Sequence, residues 1–139
     1  MKSLIDLKKL ELFRDFKIPL LELNNSGKLT LYNAKTVKGQ KVEVCIEHVI
    51  NVLNKYKNKQ ITQQVLLEWI YTIHLCNLFE NCSDYDESIL QIFEIIEETA
   101  TNTFNILDGN NLEGIKIVRV ITDSDIDKYI RALQNNIQL

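Results

Sequence analysis

Apolar residues recur at helical spacing over most of this chain. Val42, Cys45, Val49, Val52 and Tyr56 form one stripe, widened by Ile46, Ile50 and Leu53. They predict a helix from Lys41 to the polar run KNKQ. Thr62 then suits an N-cap, and Val65, Leu66, Trp69, Ile70, Ile73 and Cys76 share one face of a second helix reaching about Leu78. Ser83 and Asp84 are cap candidates for a third helix ending near Phe104, with Tyr85, Ile89, Ile92, Phe93, Ile96 and Ala100 turned inward. DGNN breaks the pattern, and the β-branched run in EGIKIVRVIT argues for an extended segment. Thr122 to Asp125 has the T-x-x-D form of a capping box and opens a last helix with Ile126, Tyr129, Ile130 and Leu133 buried.

The first 40 residues read differently. Ser3 to Phe16 places Leu4, Leu7, Leu10 and Phe13 at helical spacing, and Pro19 interrupts the pattern. LLEL, the turn NNSG and KLTLY then resemble a hairpin with Leu29 and Leu31 on one face, closed by a loop containing Gly39. Four glycines and one proline are too few turn residues for an all-β fold. The expected fold is mainly α with α+β character: a bundle of about four to five helices with a small N-terminal β-hairpin. The 139 residues form a single domain, with a hairpin region at 1–40 and a helical region at 41–139.

Composition adds little to that picture. Hydrophobic residues make up 45% and charged residues 25%, an ordinary mix for a soluble chain able to bury a core. The N-terminal MKSLIDLKKLELFRDF carries scattered charges and lacks the apolar centre of a secretory signal. No apolar run approaches the roughly 20 residues of a membrane helix. Three cysteines, Cys45, Cys76 and Cys82, fit reduced thiols and a cytoplasmic location.

Charge changes the picture more. Residues 1–59 carry twelve basic and six acidic side chains, residues 60–115 carry ten acids and no lysine or arginine, and residues 116–139 carry four basic and three acidic ones. The net −3 therefore hides a strong polarity. On the third helix Asp84, Glu87, Gln91, Glu94 and Glu98 fall within about 80° of one another, opposite the apolar stripe, with Asp86 and Glu97 at its shoulder. Like charges at i,i+3 and i,i+4 cost a few tenths of a kcal/mol per pair. The helix dipole offsets this in the first turn but not at Glu94, Glu97 and Glu98. Two readings are open: a solvated face paired in the fold with the basic N-terminal part, or a docking surface for a basic partner.

Other chemistry is poorly served. Cys45-x-x-His48 and His74-x-Cys76-x5-Cys82 supply metal-capable side chains, but Cys45 falls on an apolar stripe, and His74 and Cys76 diverge on their helix. The same divergence argues against a cysteine nucleophile, and acids following Cys82 would raise its pKa. Glu94, Glu97 and Glu98 lack a second helix of matching inward carboxylates for a metal, and no Gly-rich phosphate loop exists. The N-terminal lysines lack the interleaved aromatics of a nucleic-acid module. No catalytic residue, cofactor or metal is therefore expected. On the second helix Leu67, Tyr71, Leu75 and Leu78 form a second apolar strip. It is either the second buried side of a central helix or a self-association surface that would make the chain a scaffold or adaptor and a homodimer.

The stretch ITQQVLLEWIYTIHL resembles the I-T-x-x-x-L-x-x-W helix start of small bacterial immunity-type proteins, cytoplasmic antidotes made beside a colicin-like or contact-dependent toxin. Ile61, Thr62, Leu66 and Trp69 carry the resemblance, which extends loosely over residues 46–134. Ile70 stands where that family usually has alanine, and the N-terminal hairpin has no counterpart. The resemblance implies inhibition by tight binding, without chemistry, of a basic toxin, commonly a nuclease. Asp84, Glu87, Glu94 and Glu98, flanked by Asp86 and Glu97, would then contact the partner.

Overall fold

The computed structural model describes residues 5–23, 35–83, 86–102, 116–137 and 139. The fold is mainly α with a little β. Helix α1 spans Leu7–Arg14 and α2 is the single turn Leu20–Leu23. Strand β1, Val42–Val44, leads into α3, Ile46–Lys57, and α4, Gln63–Leu75. Strand β2, Phe79–Asn81, precedes α5, Asp86–Ala100. Strands β3, Thr101–Asn102, and β4, Lys116–Ile117, form an antiparallel pair before α6, Asp123–Asn135.

The hairpin expected near the N-terminus is corrected at its first strand. LLEL comes after Pro19 as a helical turn, in which Glu22 N–H donates to the Pro19 carbonyl at 3.1 Å. Proline presets the first turn of a helix because its missing N–H has no partner there anyway. The rest of the expected hairpin, including Leu29 and Leu31, lies outside the described residues. The parallel pair lies elsewhere, β1 against β2, with Val42 opposite Phe79 and Val44 opposite Asn81. Its strands are joined through α3 and α4, the long crossover that parallel pairing needs.

Val42 was expected in the helical stripe, and Val44 within the same helix. They are instead buried on one face of β1, with Glu43 exposed between them. Two β-branched residues alternating with an acid satisfy strand spacing, and pairing with β2 decides in favour of the strand. The second helix stops at Leu75 rather than Leu78 because Phe79–Asn81 joins that pair.

The helices begin and end by local chemistry. Asp6 and Thr62 cap α1 and α4 by accepting from Lys8 and Val65 N–H. Thr122 and Asp125 form the predicted capping box on α6. Three helices end at a non-glycine residue in the left-handed region: Phe16 at φ 60°, Lys59 at φ 63° and Asn136 at φ 51°. Each allows the next N–H to close on a carbonyl five residues back, Lys17 on Leu12, Gln60 on Lys55 and Ile137 on Ala132. A chain with few glycines thus ends its helices at a conformational cost.

One cluster of buried residues runs from Ile5 to Leu133. Helix α4 lies at its centre, with Leu66, Leu67, Trp69, Ile70, Tyr71 and Ile73 all buried. α3 and α5 pack on it, and α6 packs on both of those. Trp69 stands edge-on to Phe93 at 6.2 Å, and its indole N–H donates to the Phe13 carbonyl, tying α1 to α4.

Gln63, at the start of α4, is also buried. Its Nε2 donates to the Arg119 carbonyl at 2.7 Å, and its Oε1 accepts from Ile121 N–H at 3.0 Å. The side-chain amide thus pairs with the segment entering α6 as a strand backbone would. Tyr56 adds a hydroxyl donation to the Ile121 carbonyl at 2.7 Å.

Gln63→Ala leaves both of those backbone groups without their partner and is expected to lower stability by roughly 1–3 kcal/mol in urea unfolding. A loss below about 0.5 kcal/mol would mean that water replaces the amide. Lys59→Gly relieves the left-handed residue after α3 and is expected to raise stability by about 1 kcal/mol in the same assay.

Candidate acidic face and the groups around it

Helix α5 turns Ile89, Ile92, Phe93, Ile96 and Ala100 into the core, against α4 and α6. The opposite side carries the exposed carboxylates of Glu87, Glu94 and Glu98. Asp84 lies outside the described residues, and Asp86 begins the helix. Gln91, in the middle of the stripe, is half-buried. It holds Leu139 through both amide atoms, with Nε2 donating to the Leu139 carbonyl at 3.2 Å and Oε1 accepting from its N–H at 2.6 Å. Ser88 is buried and donates to Asn136 Oδ1 at 2.6 Å, so α5 is fixed against the end of α6 on this side too.

Glu97 departs from the expected face. It is 8% exposed, and its Oε2 accepts from His74 Nδ1 at 2.7 Å. The tautomer is set by the partner, since a carboxylate only accepts. Glu97 comes directly after Ile96 and lies four residues after Phe93, so it stands where the apolar stripe meets the polar side. Such a shoulder position goes inward when the neighbouring helix offers a hydrogen-bonding group, and His74 on α4 does. The hydrogen bond to Glu97 raises the His74 pKa above its ordinary value, against burial, which lowers it; Glu97 and Glu94 charge add to the rise. The Phe93 ring lies 5.9 Å from the imidazole.

The basic N-terminal part does not close over this face among the described residues. Its described ion pairs are local or reach α6: Arg14 with Asp15, and Lys57 with Asp127. Arg119 pairs with Asp125 at the start of α6. No lysine or arginine pairs with Glu94 or Glu98 among the described residues.

No protein-family model, no curated protein and no solved structure matches this chain.

Of the second apolar strip, Leu67 and Tyr71 on α4 and Leu78 just beyond it are at most 2% exposed, as the reading of a central helix buried on two sides expects; the Leu75 side chain lies outside the described ones. Concavities open elsewhere among the described residues. A groove of about 290 Å³ between α1 and α4 is lined by Phe13, Phe16, Pro19, Leu20, Val65 and Trp69, with Lys17 and Glu68 also on its wall. A more open one, about 510 Å³, is lined by His74, Glu80, Asn81 and Ser83 with Ile73 and Phe79.

The cysteines are corrected as well. Cys45 is no member of a helical stripe but the N-cap of α3, half-buried, and it is joined to Cys82 in a disulfide with Cα atoms 5.1 Å apart. The strand pairing that produces this meeting spans 37 residues and leaves no trace in local spacing. His48 Nδ1 accepts from Cys45 N–H at 2.9 Å, and its Nε2 faces Asp15 at 3.6 Å. Burial and the Arg14 charge lower the His48 pKa. Cys76 remains a thiol, buried in the core and pushed up to about 12 by that burial, so it is inert near neutrality. Glu43, Cys45 and Cys82 bring potential ligand atoms within 4.8 Å of one another, as do Cys45, Glu47 and His48. Neither trio reaches the four ligands of a closed zinc site, and disulfide sulfur offers no thiolate.

Folding raises the His74 pKa, so the His74–Glu97 pair stabilises most below the unfolded histidine value of about 6.5 and loses that contribution as pH climbs through the raised value. Glu97→Gln is therefore expected to cost roughly 1–3 kcal/mol in urea unfolding at pH 6 and clearly less at pH 9. An equal cost at both pH values would show that the charge on His74 plays no part.

Proposed function

We propose that this chain is a protein-binding module that docks a basic partner through the outer face of α5. The observation that carries this reading is the pair Glu94 and Glu98. They lie one turn apart on α5, exposed and without a lysine or arginine partner among the described residues. They belong to a 56-residue stretch that contains no lysine or arginine. Exposed carboxylates one turn apart on a helix tied to its neighbours steer a cationic surface into register and speed encounter more than they deepen affinity. Glu97, turned to His74, would set the orientation of α5 rather than touch the partner.

The resemblance of residues 61–75 to immunity-type proteins supports a narrower form of the same reading. In it, the chain is a cytoplasmic antidote that covers the basic active site of a nuclease-type toxin, a surface evolved to hold phosphates and suited to carboxylates instead. The alternative of self-association through the Leu67, Tyr71 and Leu75 strip is weakened by Leu67 and Tyr71, which are inside the core; the Leu75 side chain lies outside the described ones.

The test is capture from lysate of the source cell with wild type and with the Glu94→Gln/Glu98→Gln double variant as bait, followed by measured affinity for whatever basic protein is retained. The double variant is expected to bind about 10-fold more weakly at low salt, and the difference is expected to shrink as salt rises. Inhibition of the captured protein's own activity by wild type supports the antidote form. Equal capture by both baits, or a difference indifferent to salt, would overturn the docking reading.

A further inference from the structure

The disulfide at the start of α3 has the surroundings of a reactive site rather than a buried staple. Both Cys45 and Cys82 are half-buried, whereas Cys76 is sealed in the core. Cys45 stands at the N-cap of α3, at the positive end of the helix dipole. Glu43 Oε1 lies 3.5 Å from Cys45 Sγ, within reach of the proton a reduced Cys45 would carry. His48 fixes the Cys45 backbone through Nδ1, and Arg14 donates to the Glu43 carbonyl at 2.9 Å, so the strand leading to Cys45 is held in place.

The two sulfurs do not depend on their bond to stay together. Val42 and Val44 on β1 pair with Phe79 and Asn81 on β2, and Cys82 N–H donates to the Val44 carbonyl at 2.8 Å. Val42, Val44 and Phe79 are buried in the common core. Opening the disulfide therefore leaves two thiols facing each other on a frame that packing and backbone hydrogen bonds maintain.

From this arrangement we infer that Cys45 and Cys82 form a thiol–disulfide exchange site for low-molecular-weight disulfides, with Cys45 as the attacking thiol and Cys82 as the resolving one. In the closing direction Cys45 passes its proton to Glu43 and attacks one sulfur of the small disulfide. One small thiolate leaves, and a mixed disulfide remains on Cys45. Cys82 then loses its proton to water and attacks Cys45 Sγ, expelling the second small thiolate. Two protein thiols are oxidised to one disulfide, one small disulfide is reduced to two thiols, and the two protons balance the two departing thiolates. The reverse sequence reopens the pair. This inference stands apart from the docking reading and uses none of the α5 carboxylates.

The probe is glutathione. The full chain, reduced and desalted, is mixed with excess oxidised glutathione, quenched in acid, alkylated and mapped by mass spectrometry. Wild type is expected to close to the Cys45–Cys82 disulfide without a lasting adduct, to reopen under excess reduced glutathione while still folded, and to leave Cys76 unmodified. Cys82→Ser is expected to accumulate a stable adduct on Cys45, and Cys45→Ser to react at Cys82 at least about 10-fold more slowly. Should a serine variant fail to fold, wild type decides alone: native protein must close faster than the same chain in urea. A folded protein whose disulfide resists reduced glutathione would be a structural staple, and the inference falls. It also falls if the native thiols never close, if closure is no faster than in urea, or if Cys82 is the faster target.

Discussion

Helix α4 is apolar on nearly every side, and the rest of the molecule is arranged to keep water from it. With Leu66, Leu67, Trp69, Ile70, Tyr71 and Ile73 all interior, no single neighbour could cover it. α3 and α5 cover two of its sides, and α1 reaches it through the indole of Trp69. A helix of this kind holds its place by exclusion from solvent rather than by an amphipathic stripe. α3 and α5 are amphipathic because they have this one to lean on, and α6 leans on them in turn.

Burial on that scale brings polar groups inside, and their partners then fix how the surrounding elements sit. Gln63 carries two backbone groups of the segment entering α6, and Tyr56 carries a third contact to the same segment. His74 and Glu97 do the same between α4 and α5. Because a buried polar atom without a partner costs more than the bond itself contributes, these contacts act on specificity of arrangement as much as on stability. The His74 contact also decides that Glu97, at the shoulder of α5, turns inward. The surface proposed for docking is in this sense a product of the core.

The charges divide along the chain, and the described ion pairs do not join its basic first part to the outer face of α5. The described ion pairs of the basic first part are local or reach α6, while Glu94 and Glu98 stay exposed. The paired cysteines lie where β1 hands over to α3 and β2 ends.

Local signals in the chain were sufficient for the starts of α4 and α6 and for the inward side of α5, but not for α2, which was expected as a strand. Thr62 and the Thr122–Asp125 box start α4 and α6 where side-chain oxygens reach free N–H groups, and the 3.6-residue spacing of Ile89, Ile92, Phe93 and Ile96 determines which side of α5 goes inward. Glu94 and Glu98 were legible as exposed for the same reason. Contacts between residues distant in sequence were decided only by the tertiary structure. Val42 and Val44 became a strand because Phe79–Asn81 was there to pair with them, and Cys45 met Cys82 through that same pairing. Glu97 turned inward because His74, 23 residues earlier on another helix, offered a hydrogen bond. Periodicity reports which side of an element is apolar. It carries no information about which partner will stand opposite, and at shoulder positions, strand edges and thiols it is the partner that decides.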